Sequence, residues 1–201
     1  MIYLFFQRII ALLLFILLLP VLGILYIIVR LDSGGPFLYK QKRRGKNHTS
    51  FWICKIRTMI EGADDLQKML RKKNEADGPV FKIRNDPRYT RVGRFLSHSA
   101  FDELPQLINI IKGEMAFVGP RPLPRREAVQ VPKKYQKRFS VLPGMTSSWV
   151  VQGNHNLSFH QWMKLDCKYS EHSSPYQDAV ILLRTVLVVV RELFLRINTI
   201  P

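Results

Sequence analysis

Cysteine is nearly missing: Cys54 and Cys167 are the only two in 201 residues, and they form no C-x-x-C pair. That excludes a disulfide framework and fits a reducing compartment with two inert core thiols. Histidines are few and badly placed for a metal. His48, His98, His155, His160 and His172 show no H-x-x-x-H or Cys/His ligand spacing, which argues against a structural zinc site. Acidic residues are scarce as well, 15 Asp and Glu against 31 Lys and Arg, for a formal charge of +16. Such a balance selects polyanionic partners, which are nucleic acid, an anionic bilayer or phosphorylated substrates. Neither an internal repeat nor a low-complexity tract is present. The apolar share of 47% suffices for one folded domain with an appended segment.

The most telling absence is of charge itself. Residues 9–29 hold none, and 21 helical residues span about 31 Å, close to the roughly 30 Å of a bilayer core. This segment belongs in lipid. A cleaved signal peptide would need a shorter apolar core and a small-residue cleavage site. Two topologies remain: a single span, and a re-entrant helix that enters and leaves on one face, bent at Pro20 with Gly23 close behind. Arg8 precedes the run, and Arg30, Lys40, Lys42, Arg43, Arg44 and Lys46 follow it. The heavier C-terminal cluster puts the rest of the chain on the cytoplasmic side under either topology. Membrane and phosphate therefore outrank nucleic acid as partners, and the chain divides into a membrane helix over 1–31 and a cytoplasmic domain over 32–201.

After the turn at residues 32–36, residues 37–39 and 51–56 read as strands around a basic loop at 40–47. Residues 61–74 carry Leu66, Met69 and Leu70 on one face of a basic amphipathic helix, either solvated or lying on headgroups. Turns follow at Asp77-Gly78-Pro79 and Asn85-Asp86-Pro87. Leu104, Leu107, Ile108 and Ile111 fall at i, i+3, i+4 and i+7, with Gly113 where a C-terminal cap belongs. Pro105 fits only the first turn, so Asp102 and Glu103 sit at or just before this helix's N-terminus, where free N–H groups suit phosphate oxygens. Two further helices are expected over 158–169 and 177–197. The second is apolar on most sides but carries Arg184, Arg191 and Arg196, so it packs in the core or at the membrane interface rather than spanning.

The chemistry-bearing residues are ambiguous one at a time. Adjacent Asp102 and Glu103 repel unless a cation compensates, which a divalent metal does well in a phosphoryl-transfer site, yet either could simply cap a helix. Arg121, between Pro120 and Pro122, has a restrained backbone suited to a bidentate phosphate contact, or it lies in a plain surface turn.

Taken together, the segments resemble the bacterial sugar transferase family, the monotopic phosphoglycosyl transferases. The matching stretches are Lys55-Ile56-Arg57-Thr58-Met59, Phe81-Lys82-Ile83-Arg84-Asn85-Asp86-Pro87-Arg88, Asp102-Glu103-Leu104-Pro105-Gln106-Leu107, Lys112-Gly113-Glu114-Met115, Phe117-Val118-Gly119-Pro120-Arg121-Pro122-Leu123, Pro143-Gly144-Met145-Thr146, and Asp178 with Ile181-Leu182-Leu183-Arg184-Thr185. The resemblance implies a compact, mostly helical α/β domain, with a Pro20-kinked re-entrant helix and interfacial amphipathic helices, on the cytoplasmic face of the bacterial inner membrane. It implies transfer of a sugar 1-phosphate from a nucleotide diphosphate sugar to a polyprenyl (undecaprenyl) phosphate. By the family's mechanism Asp102 is the nucleophile and forms a covalent phosphosugar intermediate, and Glu103 assists with Mg²⁺, held by both carboxylates. Lys55, Arg57, Arg121 and Asp178 match positions that shape the phosphate and nucleotide site. The partners implied are the nucleotide sugar, the lipid phosphate and membrane lipid, with no nucleic acid; a homodimer is compatible.

The chain departs from the family pattern at several positions. Ser97 and Ala100 stand where arginine and serine are usual, Gly153-Asn154 where Gly-Arg is frequent, Ser147-Ser148 where glycine continues the loop, and Leu19 where serine precedes the membrane proline. Each lost charge-assisted contact to phosphate costs about 1.5–3 kcal/mol, so the site needs a substitute from Arg94, His98 or His155. The alternative is a catalytically impaired homologue that scaffolds or regulates glycan assembly.

Overall fold

A helix of 31 residues, α1 (Ile2–Asp32), opens the chain, and its run of Leu, Ile and Phe leaves nothing to interrupt the backbone except Pro20. In the computed structural model, which describes residues 2–152 and 157–197, α1 continues without a break through that proline. The bend expected there is not recorded as an interruption of the helix. One stripe of α1 faces the rest of the protein. Gln7, Ala11 and Val29 are buried, and Phe15, Leu18, Leu22 and Leu25 pack between them at steps of three and four residues. The other faces are bare, with Leu13 62%, Leu17 72% and Ile24 60% exposed. Each such side chain forgoes about 1.5–3 kcal/mol in water, so this surface calls for an apolar cover, and α1 is long and apolar enough to cross a membrane.

Both ends of α1 are tied to the same body. The Tyr3 hydroxyl donates to Asp178 Oδ2 at 2.8 Å, and the Phe117 N–H donates to Gln7 Oε1 at 3.0 Å. At the far end, the Val92 N–H donates to Asp32 Oδ2 at 3.1 Å.

Two antiparallel strands follow, β1 (Leu38–Arg44) and β2 (Ser50–Ile56), in a register that sets Leu38 opposite Ile56 and Arg44 opposite Ser50. Most of the stretch expected as a basic loop is therefore strand. Its charges alternate, Lys40 and Lys42 outward and Gln41 and Arg43 half-buried, a period of two that charge density hides from a hydrophobicity reading. Next come α2 (Ala63–Met69), a single 3₁₀ turn over Leu70–Lys73, and α3 (Arg91–His98). α3 is capped by Thr90, whose hydroxyl accepts the Gly93 N–H at 2.9 Å. In α2 the expected faces are inverted: Gln67 is buried, while Leu66 and Met69 are exposed.

A 3₁₀ turn (Phe101–Gln106) leads into α4 (Leu107–Ile111), whose Leu107 and Ile110 meet Ala11 of α1 and Phe51 and Ile53 of β2 in one apolar cluster. Gly113, at φ +76°, ends α4 in the left-handed conformation its position predicts. Then come β3 (Ala116–Val118), β4 (Leu123–Pro124), α5 (Arg125–Ala128), a 3₁₀ segment (Lys133–Phe139), β5 (Gly144–Thr146) and α6 (Ser148–Val151). The last elements are α7 (Phe159–His172), which starts in a Ser158/Gln161 capping box, and α8 (Pro175–Ile197). β4 joins β1 to give the order β2-β1-β4, while β3 and β5 pair in parallel as a separate ladder. The architecture is thus mostly helical with two small sheets. A second apolar cluster unites Leu123, Tyr135, Phe139, Phe159 and Met163. α8 is not a core helix: Asp178 and Ile181 are buried, but Leu183, Val186, Leu187 and Phe194 are exposed.

At Gly144 the backbones of β3 and β5 nearly touch, since a Cβ there would lie 2.0 Å from the Gly119 nitrogen. A Gly144→Ala substitution should therefore cost about 3 kcal/mol, because backbone rather than a pliable side chain must yield. Thermal unfolding of the detergent-solubilised protein measures this, and an unchanged midpoint would refute the close approach.

Candidate active site

Strand alternation sets Lys55 on the same side of β2 as Phe51 and Ile53, the side on which the 3₁₀ turn Phe101–Gln106 packs. Asp102 and Glu103 occupy the first turn of that segment, entered through Ala100 in the left-handed conformation at φ +60°. A non-glycine residue there carries about 1–2 kcal/mol of strain. The Glu103 N–H donates to the Ala100 carbonyl at 3.1 Å, so it does not face a ligand. The Glu103 N–H is therefore not one of the free N–H groups expected to suit phosphate oxygens, and the carboxylates themselves are met by cationic side chains.

Lys55 Nζ donates to Glu103 Oε1 at 2.6 Å and to Asp102 Oδ2 at 3.3 Å, bridging the two acids. Arg121 Nη2 reaches the same Glu103 oxygen at 3.1 Å. The loop bearing Arg121, between β3 and β4, is pinned by its carbonyls: Arg43 Nη1 donates to Pro122 O at 2.9 Å, and Arg138 Nη2 to Arg121 O at 2.8 Å. Arg138 is itself paired with Asp166 at 2.8 Å, both 1% exposed. A small cleft is lined by Arg43, Lys55, Glu103, Gln106, Arg121 and Pro122. Asp102 joins it through Lys55 rather than as part of the lining.

Electrostatics separates the neighbouring acids. Burial opposes ionisation of Glu103, but Lys55 and Arg121 outweigh it and hold the carboxyl down at about 2. Burial pushes Asp102 up, and the charge of Glu103 adds to this against the pull of Lys55. Arg43 is depressed to about 10 by burial and by the charge of Arg121. Three cations around two carboxylates leave a net positive cleft, which suits phosphate oxygens.

Of the residues singled out from sequence, Lys55, Asp102, Glu103 and Arg121 come together. Arg57, just beyond β2, is buried and donates to the Ser33 carbonyl at 2.7 Å and to the Gly34 carbonyl, bracing the joint after α1. Asp178 accepts from Tyr169 at 2.6 Å and from Tyr3, with no recorded contact to the cluster. Arg94 is exposed on α3. Ser97 shares a 3.0 Å hydrogen bond with the Tyr89 hydroxyl, and Gly153, Asn154 and His155 lie outside the described residues. Three participants escape sequence reasoning. Arg43 had a signal, the inward position of an alternating strand, whereas Arg138 and Asp166 meet across 28 residues with no local pattern.

Among the described residues, no group of three or more acidic, histidine or cysteine side chains is placed to hold a metal. Two adjacent carboxylates nevertheless fit Mg²⁺, an ion that takes one or two protein carboxylates and completes its shell with substrate phosphates and water.

The family model described as Bacterial sugar transferase matches residues 1–192. The UDP-galactose-lipid carrier transferase of Erwinia amylovora is 37% identical over 180 residues, 88% of this chain and 38% of its own length. The undecaprenyl-phosphate galactose phosphotransferase of Salmonella typhimurium is 35% identical over 167 residues, 80% of this chain and 34% of its own. The exopolysaccharide production protein ExoY of Sinorhizobium fredii is 34% identical over 185 residues, 90% of this chain and 82% of its own. The chain thus spans little more than a third of the first two relatives and most of the third.

Because Glu103 is held below its ordinary 4.5, it stabilises the fold above that pH, and the contribution is lost as pH falls toward 2. Asp102, raised, works in the opposite sense, favouring the fold at low pH and losing that contribution as pH rises past its folded value. Glu103→Gln should flatten the drop in melting temperature between about pH 4.5 and 2. Lys55→Met should cost about 3–5 kcal/mol at neutral pH by leaving both acids under-compensated, and adding Glu103→Gln should restore much of it. Equal melting temperatures for Lys55→Met and wild type would show that the bridge does not hold the site.

Proposed function

The chain belongs to the bacterial sugar transferase family, and on that premise we propose that it moves a sugar 1-phosphate from a nucleotide diphosphate sugar to a polyprenyl phosphate, undecaprenyl phosphate in bacteria. The observation that carries this reading is Lys55 joining Asp102 and Glu103 beneath Arg121, in a cationic cleft on a body whose first helix needs lipid.

In this reaction an Asp102 carboxylate oxygen bonds to the β-phosphorus of the donor as the bond from that phosphorus to the bridging oxygen breaks. The bridging oxygen leaves with the nucleoside monophosphate and keeps the electron pair. A phosphate oxygen of the lipid then attacks the same phosphorus, displaces the aspartate and gives the sugar-diphospholipid. Lys55 steers Asp102 and meets the charge on the transferring group, and Arg121 neutralises the diphosphate. Asp102 and Glu103 would hold Mg²⁺ jointly with the donor's phosphates, where the ion would screen their charge. Arg94, exposed on a helix that packs against α1, is the residue we assign to the acceptor's head group. Running the two half-reactions in turn lets two anionic substrates use one cationic cleft. Arg43 supplies a cation at the cleft, so the serine at position 97 does not require an impaired enzyme.

The proposed setting is the cytoplasmic face of the bacterial inner membrane, with α1 entering and leaving the bilayer on that face. A through-going span would carry the first turn of α1 about 30 Å from the domain, whereas Tyr3, Gln7 and Asp32 are all bonded to it. An Ile2→Cys variant should resist an impermeant thiol reagent in intact cells and react once they are permeabilised; reaction in intact cells would establish a span.

Activity is tested by release of nucleoside monophosphate from a panel of nucleotide sugars, with undecaprenyl phosphate and Mg²⁺ in detergent. Wild type should turn over one donor class, and Asp102→Asn should lose about a thousandfold or more. Silence of the wild type across the panel, or full activity of Asp102→Asn, would overturn the mechanism.

A further inference from the structure

A cavity larger than the cleft at Lys55 lies elsewhere among the described residues. It has a volume of about 230 Å³ and lies between α2, the loop before Phe81, and α5, with Gln67, Arg71, Phe81, Arg126, Glu127 and Gln130 in its walls. We propose that this cavity binds the nucleoside end of the nucleotide sugar, leaving the diphosphate to reach the carboxylates past Arg121. The proposal rests on the transferase reading and assigns the donor's far end to a place in the fold.

Three observations support it. The first is the inversion of α2. A helix that buries Gln67 at 7% exposure while leaving Met69 at 79% works against hydrophobic burial, so the amide is there for a polar reason. Its oxygen accepts from Arg126 Nη2, yet no acceptor is recorded for its amide nitrogen among the described residues. An acceptor on a nucleobase edge or ribose in the cavity would take a hydrogen bond from that amide.

The second is that the facing wall is held in place before any ligand arrives. Asn74 donates to Ala76 O at 2.9 Å and Val80 O at 3.0 Å and accepts the Lys82 N–H at 2.7 Å, fixing the loop that carries Phe81, whose ring lies under the Arg88 guanidinium at 5.2 Å. Glu127, 8% exposed, lies close enough to the Phe81 N–H for that group to favour its ionised form. Side-chain amides and the guanidinium groups of Arg71 and Arg126 are groups that take the edge of a base and its phosphate.

The third is continuity with the cleft. Glu127 lies within the electrostatic reach of Arg43, Arg126 and Arg121, and Lys82, next to Phe81, is near Arg121. Arg43 and Arg121 line the cleft at Glu103, so arginines close enough to Glu127 to act on its charge also stand at the carboxylates. A whole drug-sized ligand needs about 300–1,000 Å³, so this cavity suits one end of a longer molecule.

Calorimetry on the full chain in detergent, with UMP and GMP as probes and galactose 1-phosphate as the control for the other half of a donor, tests the proposal. Arg126→Ala, at an exposed position, and Gln67→Leu should each weaken binding of the recognised nucleotide about tenfold or more while leaving galactose 1-phosphate unaffected. Arg126→Ala decides the matter if Gln67→Leu does not fold. Binding of neither nucleotide to wild type at millimolar concentration, or equal binding to wild type and Arg126→Ala, would overturn the assignment. Equal binding with turnover intact removes this site and spares the reaction; Arg126-dependent UMP binding without turnover does the reverse.

Discussion

The Lys55 ammonium is the point at which the candidate site and the fold are joined. It extends from a strand of the hairpin to two acids in a 3₁₀ turn, so the strand and the turn are fixed relative to each other by one cation shared between adjacent carboxylates. Adjacent buried carboxylates do not coexist in ionised form without such a cation. The bridge also makes the acids unequal. Glu103 takes the shorter contact and the second cation, Arg121, and is held as a carboxylate, while Asp102 keeps the longer contact and the weaker hold. Of the two, Asp102 is the acid with a less committed partner, which suits the nucleophilic role proposed for it.

Around that bridge the protein uses backbone carbonyls as anchor points for arginines. Arg138 and Arg43 each hold a carbonyl of the loop that carries Arg121, and Arg57 holds the joint after the first helix. Membrane helix and catalytic body are not modules in series, because Ala11 of α1 lies in one core with Leu107, Ile110, Phe51 and Ile53. Burying Ala11 and leaving Leu13 and Leu17 bare gives α1 one side packed on protein and another open for the proposed bilayer. α8, bonded to the start of α1 through Asp178 and Tyr3, also carries exposed apolar residues.

Much of this could be read from sequence because it is local. The uncharged run, the glycine that ends α4 and the serine that starts α7 announce themselves within a few residues. The order of the motifs brought Lys55, Asp102, Glu103 and Arg121 together before any coordinates did. What stayed hidden depends on distant partners or on a period masked by charge. β1 reads as a loop because four of its seven residues are cationic, and α2 reads as facing inward at Leu66 and Met69 although Gln67 is the buried residue. Arg57 and Asp178 were legible as important but not as to place, since carbonyl acceptors and tyrosine hydroxyls leave no trace in a motif. Arg138 and Asp166, whose pairing positions Arg121, are separated by a stretch that offers no pattern.

The central claim is that Asp102 becomes covalently bonded to phosphorus during turnover. Intact-protein mass spectrometry after incubation with single nucleotide sugars, without lipid acceptor, tests it most directly. The account predicts a mass gain of one sugar phosphate with the matching donor, removed on adding undecaprenyl phosphate and mapped by peptide analysis to Asp102. Turnover with no adduct under any quenching condition, or an adduct on Glu103 instead, would contradict it.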